Sequence, residues 1–211
     1  MLSMSQMTGF NAGGEHDPYW AEVVLLMNLD LDMLDAKGHT VANTGGVSIS
    51  SGAAVFNGSN YLSVDHSDFA FSAQNYTAEF YVKLSDTTGG RYLFSNTSSA
   101  YIWLGPLGTG MLTCSVHGNA TTPVPVSPDQ WMHVAFVRDT TARLYIDGVL
   151  VHSVESPLGL GGSKWEIGRA YTVTGGGSPG LNGYIRNVRF TKGVARYTTN
   201  FTPPTAPFPN S

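Results

Sequence analysis

A single cysteine, Cys114, stands among 211 residues. That excludes an intrachain disulfide framework, so packing alone must hold the fold. Its neighbours, Met111-Leu112-Thr113 before and Ser115-Val116 after, are those of a buried free thiol. Charge is also scarce. Asp, Glu, Lys and Arg make up 12% of the chain, the net charge is −4, and no basic run exceeds two residues. The electrostatic footprint of a nucleic-acid binder is therefore missing. No apolar run approaches the roughly 20 residues that a membrane-spanning helix needs. The opening MLSMSQMTGFNAGGEHDPYW lacks the basic start and apolar stretch of a signal peptide. The expectation is a chain that stays inside the cell or leaves it on a particle released by lysis. No stretch carries a long helical period either.

What the chain has in abundance is strand signal broken by turns. Its 25 glycines and recurrent Asn, Asp and Ser separate short β-branched and aromatic runs. Strands are predicted near 22–29, 47–50, 53–57, 60–64, 76–84, 91–95, 100–104, 111–117, 130–138, 142–147, 149–154, 164–168 and 182–191. Asn57-Gly58 and Asp147-Gly148 are turns, and Asp-Gly supplies the positive φ angles of a type I′ hairpin. WMHVAFVR (Trp131 to Arg138) alternates Trp131, His133, Ala135 and Val137 with Met132, Val134, Phe136 and Arg138. Both sets are largely apolar, as in a central strand covered on both faces. Residues 1–19, rich in glycine, serine and methionine, form an arm suited to docking. Residues 20–205 form one β domain, of which 191–205 is a closing segment, and 206–211 are a tail.

Three segments recur in a telling order. AVFNGSNYLSV (Ala54 to Val64) precedes YTAEFYVK (Tyr76 to Lys83). WMHVAFVR precedes LYIDGV (Leu144 to Val149). LNGYIRNVRF (Leu181 to Phe190) comes last. Together they resemble the laminin-G-like, concanavalin A-like lectin/glucanase superfamily over about residues 20 to 205. The resemblance implies an all-β fold: a concanavalin A-like jelly-roll β-sandwich of two antiparallel sheets and about a dozen strands. The continuation TKGVARYTTNFTPP (Thr191 to Pro204) is similar to the closing segment of lectin-like modules in bacteriophage virion proteins. That likeness implies a last strand beside the first, with the tail wrapped back over the sandwich. Ile185, Val188 and Phe190 would anchor the strand, and Phe201 and Phe208 would pin the tail. Its prolines lack backbone donors, so it cannot add a regular strand.

Catalysis is tested first because the superfamily contains glycosidases. These need two carboxylates facing one sugar cleft. The five glutamates, Glu15, Glu22, Glu79, Glu155 and Glu166, have no aspartate two residues on. A non-enzymatic chain is expected. The six histidines form no H-x-H or H-E-x-x-H pair, so a zinc site is not expected. His133 reads as a hydrogen-bonded core residue. Asp30 and Asp32, in DLDMLD, are the metal candidates, set against a reading as solvated turn acids. An EF-hand is excluded, since Asp35 stands at the glycine position and Val41 at the bidentate glutamate. The resemblance implies a calcium ion in many members, yet Arg186-Asn187 stands where relatives often carry Asp-Asp, which puts that site in doubt.

Sugar binding wants an exposed ring beside polar groups. Tyr171, with Arg169 and Asn182 near it in sequence, is the candidate, set against Tyr171 packing under its own loop. The loop from Asp86 to Arg91 is a second. Trp103, Trp131 and Trp165 are expected in the core, and Trp20 where the arm joins. The functional expectation is a bacteriophage virion protein that decorates the particle or adheres to host-surface glycans. Its partners would be other virion proteins, met through arm and tail, and copies of itself. It would be assembled in the host cytoplasm. The alternatives are a free cellular lectin and, last, a glycoside hydrolase of the same superfamily.

Overall fold

The structure, a computed structural model, describes residues 16–88, 90–96, 101–104, 110–116, 119–120, 123–155, 160–170, 180–204 and 207–211. The first strands are β1 (Val23–Met27), β2 (Val41–Thr44), β3 (Ser48–Ser50), β4 (Ala53–Asn57) and β5 (Tyr61–Asp65). A 3₁₀ turn, Ser67–Phe69, leads to β6 (Tyr76–Leu84), β7 (Arg91–Asn96), β8 (Tyr101–Leu104) and β9 (Met111–Val116). Two short strands follow, β10 (Asn119–Ala120) and β11 (Val124–Pro125). The last are β12 (Trp131–Arg138), β13 (Thr141–Ile146), β14 (Val149–Glu155), β15 (Lys164–Ile167) and β16 (Asn182–Lys192).

They form two eight-stranded sheets. One runs β14-β13-β12-β6-β16-β4-β3, with β1 also on β16. The other runs β10-β9-β8-β7-β15-β5-β2, with β11 on β9. Among the described residues every pairing between these strands is antiparallel, and the expected jelly-roll sandwich is what forms. Between the sheets lies one apolar core. Phe190 packs there among Phe69, Phe71, Phe94 and Trp165, with ring centroids 4.9–6.0 Å away. Ile185, Val188 and Phe190 are fully buried, and β16 pairs with β1 as well as with β6 and β4.

The two turns behave differently. Asp147 and Gly148 both have positive φ (48° and 75°) and join the neighbours β13 and β14, as a type I′ hairpin requires. Asn57-Gly58 instead carries the chain from one sheet to the other, since β4 and β5 do not pair. Its bend is fixed by side chains. The Asn57 carboxamide oxygen accepts from the amides of Ser59 and Asn60, and that of Asn60 accepts from the Asn57 amide.

β12 is covered on both faces, but the sandwich covers only one. Met132, Val134 and Phe136 enter the core. Ala135 and Val137 lie on the outer face with Tyr145, under Tyr197 and Phe201 of the closing segment. Tyr197 stacks on Phe201, and Phe201 stands edge-on to Tyr145 at 5.4 Å and to His133 at 5.7 Å. Phe208 is buried against Val23 and Leu26. Two contacts lock this path to the hairpin: the Phe201 amide donates to the Gly148 carbonyl (2.9 Å), and the Leu150 amide donates to Asn200 Oδ1 (2.9 Å).

Candidate functional site

The pairing register sorts the outer face of the first sheet into rows. Tyr145, Ala135, Glu79, Arg189 and Leu26 stand opposite one another across β13, β12, β6, β16 and β1. Trp131, Lys83, Tyr184 and Val55 form a row nearer the other end, across β12, β6, β16 and β4. His133, Tyr81 and Arg186 lie between.

The first row carries what looks most like catalytic machinery. Glu79 is fully buried; its Oε1 accepts from Arg189 Nε (2.9 Å), and its Oε2 accepts from the Tyr197 hydroxyl (2.9 Å) and faces His133 Nε2 (3.1 Å). Arg189 also donates to Asp17, which takes two bonds from Arg196. Burial pushes the Glu79 carboxyl up, but the Arg189 charge and the His133 hydrogen bond outweigh it and hold the group at about 2. Burial and then the Glu79 charge push the Tyr197 hydroxyl far up. Asp17 is held below the usual range: burial raises it, and the Arg196 hydrogen bond with the other partners prevails. An ionised, paired carboxylate sealed under Tyr197 cannot protonate a glycosidic oxygen. This cluster clamps the closing segment to the sheet.

The predicted sugar-binding residues are engaged elsewhere. Tyr171 lies outside the described residues. Arg169 lies flat over the Tyr61 ring (3.5 Å) and grips Glu166 with two bonds of 2.7 and 3.1 Å. Asn182 donates to Asp86 (2.7 Å), which also receives Arg91. No hydrogen bond among the described residues joins Arg169 to Asn182. Each is tied to its own carboxylate.

Asp30 and Asp32 line a cleft of about 230 Å³ with Asn28 and Asn210. Each spends an oxygen on its own turn, Asp30 Oδ1 accepting from the Leu31 amide and Asp32 Oδ1 from the Leu34 amide. Asn187, at a bulge with φ 52°, donates its amide to the Asn28 carbonyl (2.9 Å), and Arg186 turns to Trp131. Calcium takes 6–8 oxygens. The two carboxylates alone fall short of that number, and the Asn28 and Asn210 carboxamides or carbonyls of the cleft would have to complete it.

The remaining row is open. Trp131, expected in the core, is a correction: it is half-buried on the outer face, because the closing segment ends its coverage before reaching this row. Lys83 Nζ lies between Tyr184 (4.5 Å) and Trp131 (5.4 Å), and the Arg186 guanidinium sits 4.3 Å from the Trp131 ring. Neither Lys83 nor Arg186 pairs with a carboxylate among the described residues, and Arg186 Nε has no hydrogen-bond partner there. Two cations held against two partly buried rings form an anion-receptive surface with apolar walls. Sequence reasoning missed it, although alternation along β6, β12 and β16 places all four residues on one face. The register between strands was the absent piece.

Comparison with known proteins fits this architecture. The family model described as the concanavalin A-like lectin/glucanases superfamily matches residues 56–196. No curated protein matches the sequence. Among solved structures, the chain is similar to domain 4 of the extracellular arabinanase AbnA from Geobacillus stearothermophilus, in complex with arabinotriose. The TM-score is 0.63 at 22% identity, covering 82% of this chain and 93% of that one. It is also similar to the ligand-binding domain of botulinum neurotoxin serotype D in complex with N-acetylneuraminic acid (TM-score 0.65, 13% identity, 83% of this chain). A third likeness is the binding domain of botulinum neurotoxin DC (TM-score 0.63, 12% identity, 83% of this chain). The chain spans 49% of each of those two toxin chains. At these identities the likenesses bear on fold. The family match covers most of the sequence, and the chain belongs to the concanavalin A-like lectin/glucanases superfamily.

Proposed function

We propose that this superfamily member is a non-enzymatic lectin-like module that binds an acidic glycan on the open half of its outer sheet face, and that a bacteriophage particle carries it. The observation behind the binding role is the row Trp131–Lys83–Tyr184 with Arg186 beside it. A sugar carboxylate would meet Lys83 and Arg186, while the C–H face of its ring would rest against the exposed parts of Trp131 and Tyr184. The relatives solved with arabinotriose and with N-acetylneuraminic acid support a sugar as the ligand class. Binding at one such shallow surface is weak, and many copies on one particle make it effective. No calcium is assigned to this role.

The particle context is supported by the closing segment Thr191 to Pro204, which resembles that of phage virion lectin-like modules. On this reading the part of residues 1–19 that precedes Asp17, itself held in the charge cluster, and the tail attach the sandwich to other virion proteins, in many copies, after assembly in the host cytoplasm. Two experiments test the two halves. N-acetylneuraminic acid titrated by NMR should shift the Trp131 indole and the Tyr184 ring, whereas arabinotriose should bind more weakly. No shift with either sugar, or the same shifts in Arg186→Ala, removes the binding site. A density map of the assembled particle should contain the chain. Its absence from every particle would leave the free lectin as the reading.

A further inference from the structure

His39, His66 and Asp68 are 27 and two residues apart along the chain, yet the fold brings them to one point. Their ligating atoms all lie within 4.8 Å of one another. The loop after β1 supplies His39, and the 3₁₀ turn after β5 supplies the other two. The turn is rigidly held. Phe69 is fully buried, and its carbonyl accepts from Trp165 Nε1 (3.2 Å).

The hydrogen bonds decide which nitrogens are bare. Asp35 is fully buried and its carboxylate is saturated. Oδ1 accepts the Leu26 and Lys37 amides, and Oδ2 accepts the His39 amide and faces His39 Nδ1 at 2.7 Å. A carboxylate oxygen can only accept, so His39 Nδ1 carries the proton. In the neutral ring, Nε2 is then a lone pair, and it points at Asp68 Oδ2 from 3.2 Å. His66 Nδ1 stands 3.3 Å from the same Oδ2; it accepts the Asp68 amide over a long 3.3 Å contact, which a bound ion would displace. Two ring nitrogens and a carboxylate oxygen thus converge on one point, where a proton on His39 Nε2 or a metal ion can bridge them.

We propose that His39, His66 and Asp68 bind a divalent transition metal, with zinc the best fit, and that buried Asp35 orients His39 for it. Ligands at about 2.0–2.1 Å from a tetrahedral zinc stand about 3.3 Å apart along each edge. The two oxygen–nitrogen spacings, 3.2 and 3.3 Å, match that edge, and the two ring nitrogens lie within 4.8 Å of each other. Two imidazoles and one carboxylate suit zinc and its neighbours and are a poor set for calcium. Carboxylate–histidine–metal chains such as Asp35–His39 are the usual means of fixing a metal-bound imidazole. The fourth position faces solvent, since the His66 and Asp68 side chains are 49% and 48% exposed. A water, or a side chain from a neighbouring copy, completes it. The site crosslinks two loops at the edge of the sandwich, independently of the glycan surface.

The test is a zinc titration of the full chain by calorimetry, with thermal unfolding measured in zinc and in chelator. One ion per chain and a higher Tm in zinc are expected. Cobalt should give the visible absorption of a four-coordinate ion. His66→Ala removes a half-exposed ring and so should keep its fold and its Tm in chelator, while losing at least tenfold in zinc affinity and losing the cobalt spectrum. Asp35→Asn, where it folds, should weaken zinc about 10–100-fold. A wild type that ignores zinc overturns the proposal. So does His66→Ala binding zinc as tightly as the wild type, because the ion would then sit elsewhere.

Discussion

The two halves of one sheet face have opposite fates. Under the closing segment, every charge in the cluster has a partner: Glu79 has Arg189, His133 and Tyr197, and Asp17 has Arg189 and Arg196. Beyond its reach, Lys83 and Arg186 lie against aromatic rings without a carboxylate among the described residues. Tyr81 marks the boundary. Its ring lies between Arg186 and His133, and its hydroxyl donates to the Pro204 carbonyl. Buried charge must be neutralised by the protein itself, whereas surface charge left unneutralised can be offered to a ligand. Pairing therefore belongs to the fold on the covered half, and its absence leaves the cations of the other half to the proposed ligand.

The largest effect should come from breaking the covered half. Glu79→Ala leaves Arg189 buried with one carboxylate fewer and takes partners from His133 and Tyr197. A loss of about 3–5 kcal/mol in denaturant unfolding is expected. The same carboxylate should govern acid stability. Its folded pKa, about 2, lies below the ordinary carboxylate value of 4.5. The stabilisation is thus fully present above about pH 4.5 and disappears as pH falls through about 2. On the order of 3 kcal/mol is at stake. Glu79→Gln should flatten the stability profile across that window. A variant profile parallel to the wild type's would show that the pairing does not carry acid stability.

A smaller effect is expected where the closing segment meets the hairpin. A Cβ on Gly148 would stand 1.9 Å from the Phe201 carbonyl oxygen, and φ there is +75°. Gly148→Ala should cost about 1–3 kcal/mol. It should also expose the segment around Phe201 to limited proteolysis while the core strands stay protected. Proteolysis as slow as in the wild type would mean that the segment is held by Tyr197 and the charge cluster alone.

How much of this was legible depends on the distance over which each feature is decided. Asp147-Gly148 and the alternation of Trp131 to Arg138 are local, and both were readable. β2 was missed because Val41-Ala-Asn-Thr is mostly exposed and lies at a sheet edge, where little apolar pattern is needed. Alternation assigned Trp131 to a face but could not say what covers that face. The cover comes from the closing segment, and it stops at Tyr81. Arg169 and Asn182 lie near Tyr171 in sequence, yet Arg169 is bound to Glu166 three residues before it and Asn182 to Asp86 in the loop after β6. The His39–His66–Asp68 cluster left no motif, since its spacing follows from how the chain passes from β1 to β5.

The smallest effect on stability should accompany the largest on binding, in Lys83→Ala and Arg186→Ala. A cation over an exposed ring contributes about 0.5–1 kcal/mol. In Arg186 that gain is set against a buried Nε with no partner, whose removal relieves a desolvation cost of similar size. Each variant should therefore unfold within about 1 kcal/mol of wild type, yet lose most of its response to N-acetylneuraminic acid. Trp131→Ala should follow the same pattern, with a somewhat larger stability loss for its half-buried ring. If the two cation variants were instead as destabilising as Glu79→Ala, the open row would be structural like the covered one, and the contrast between the halves would collapse.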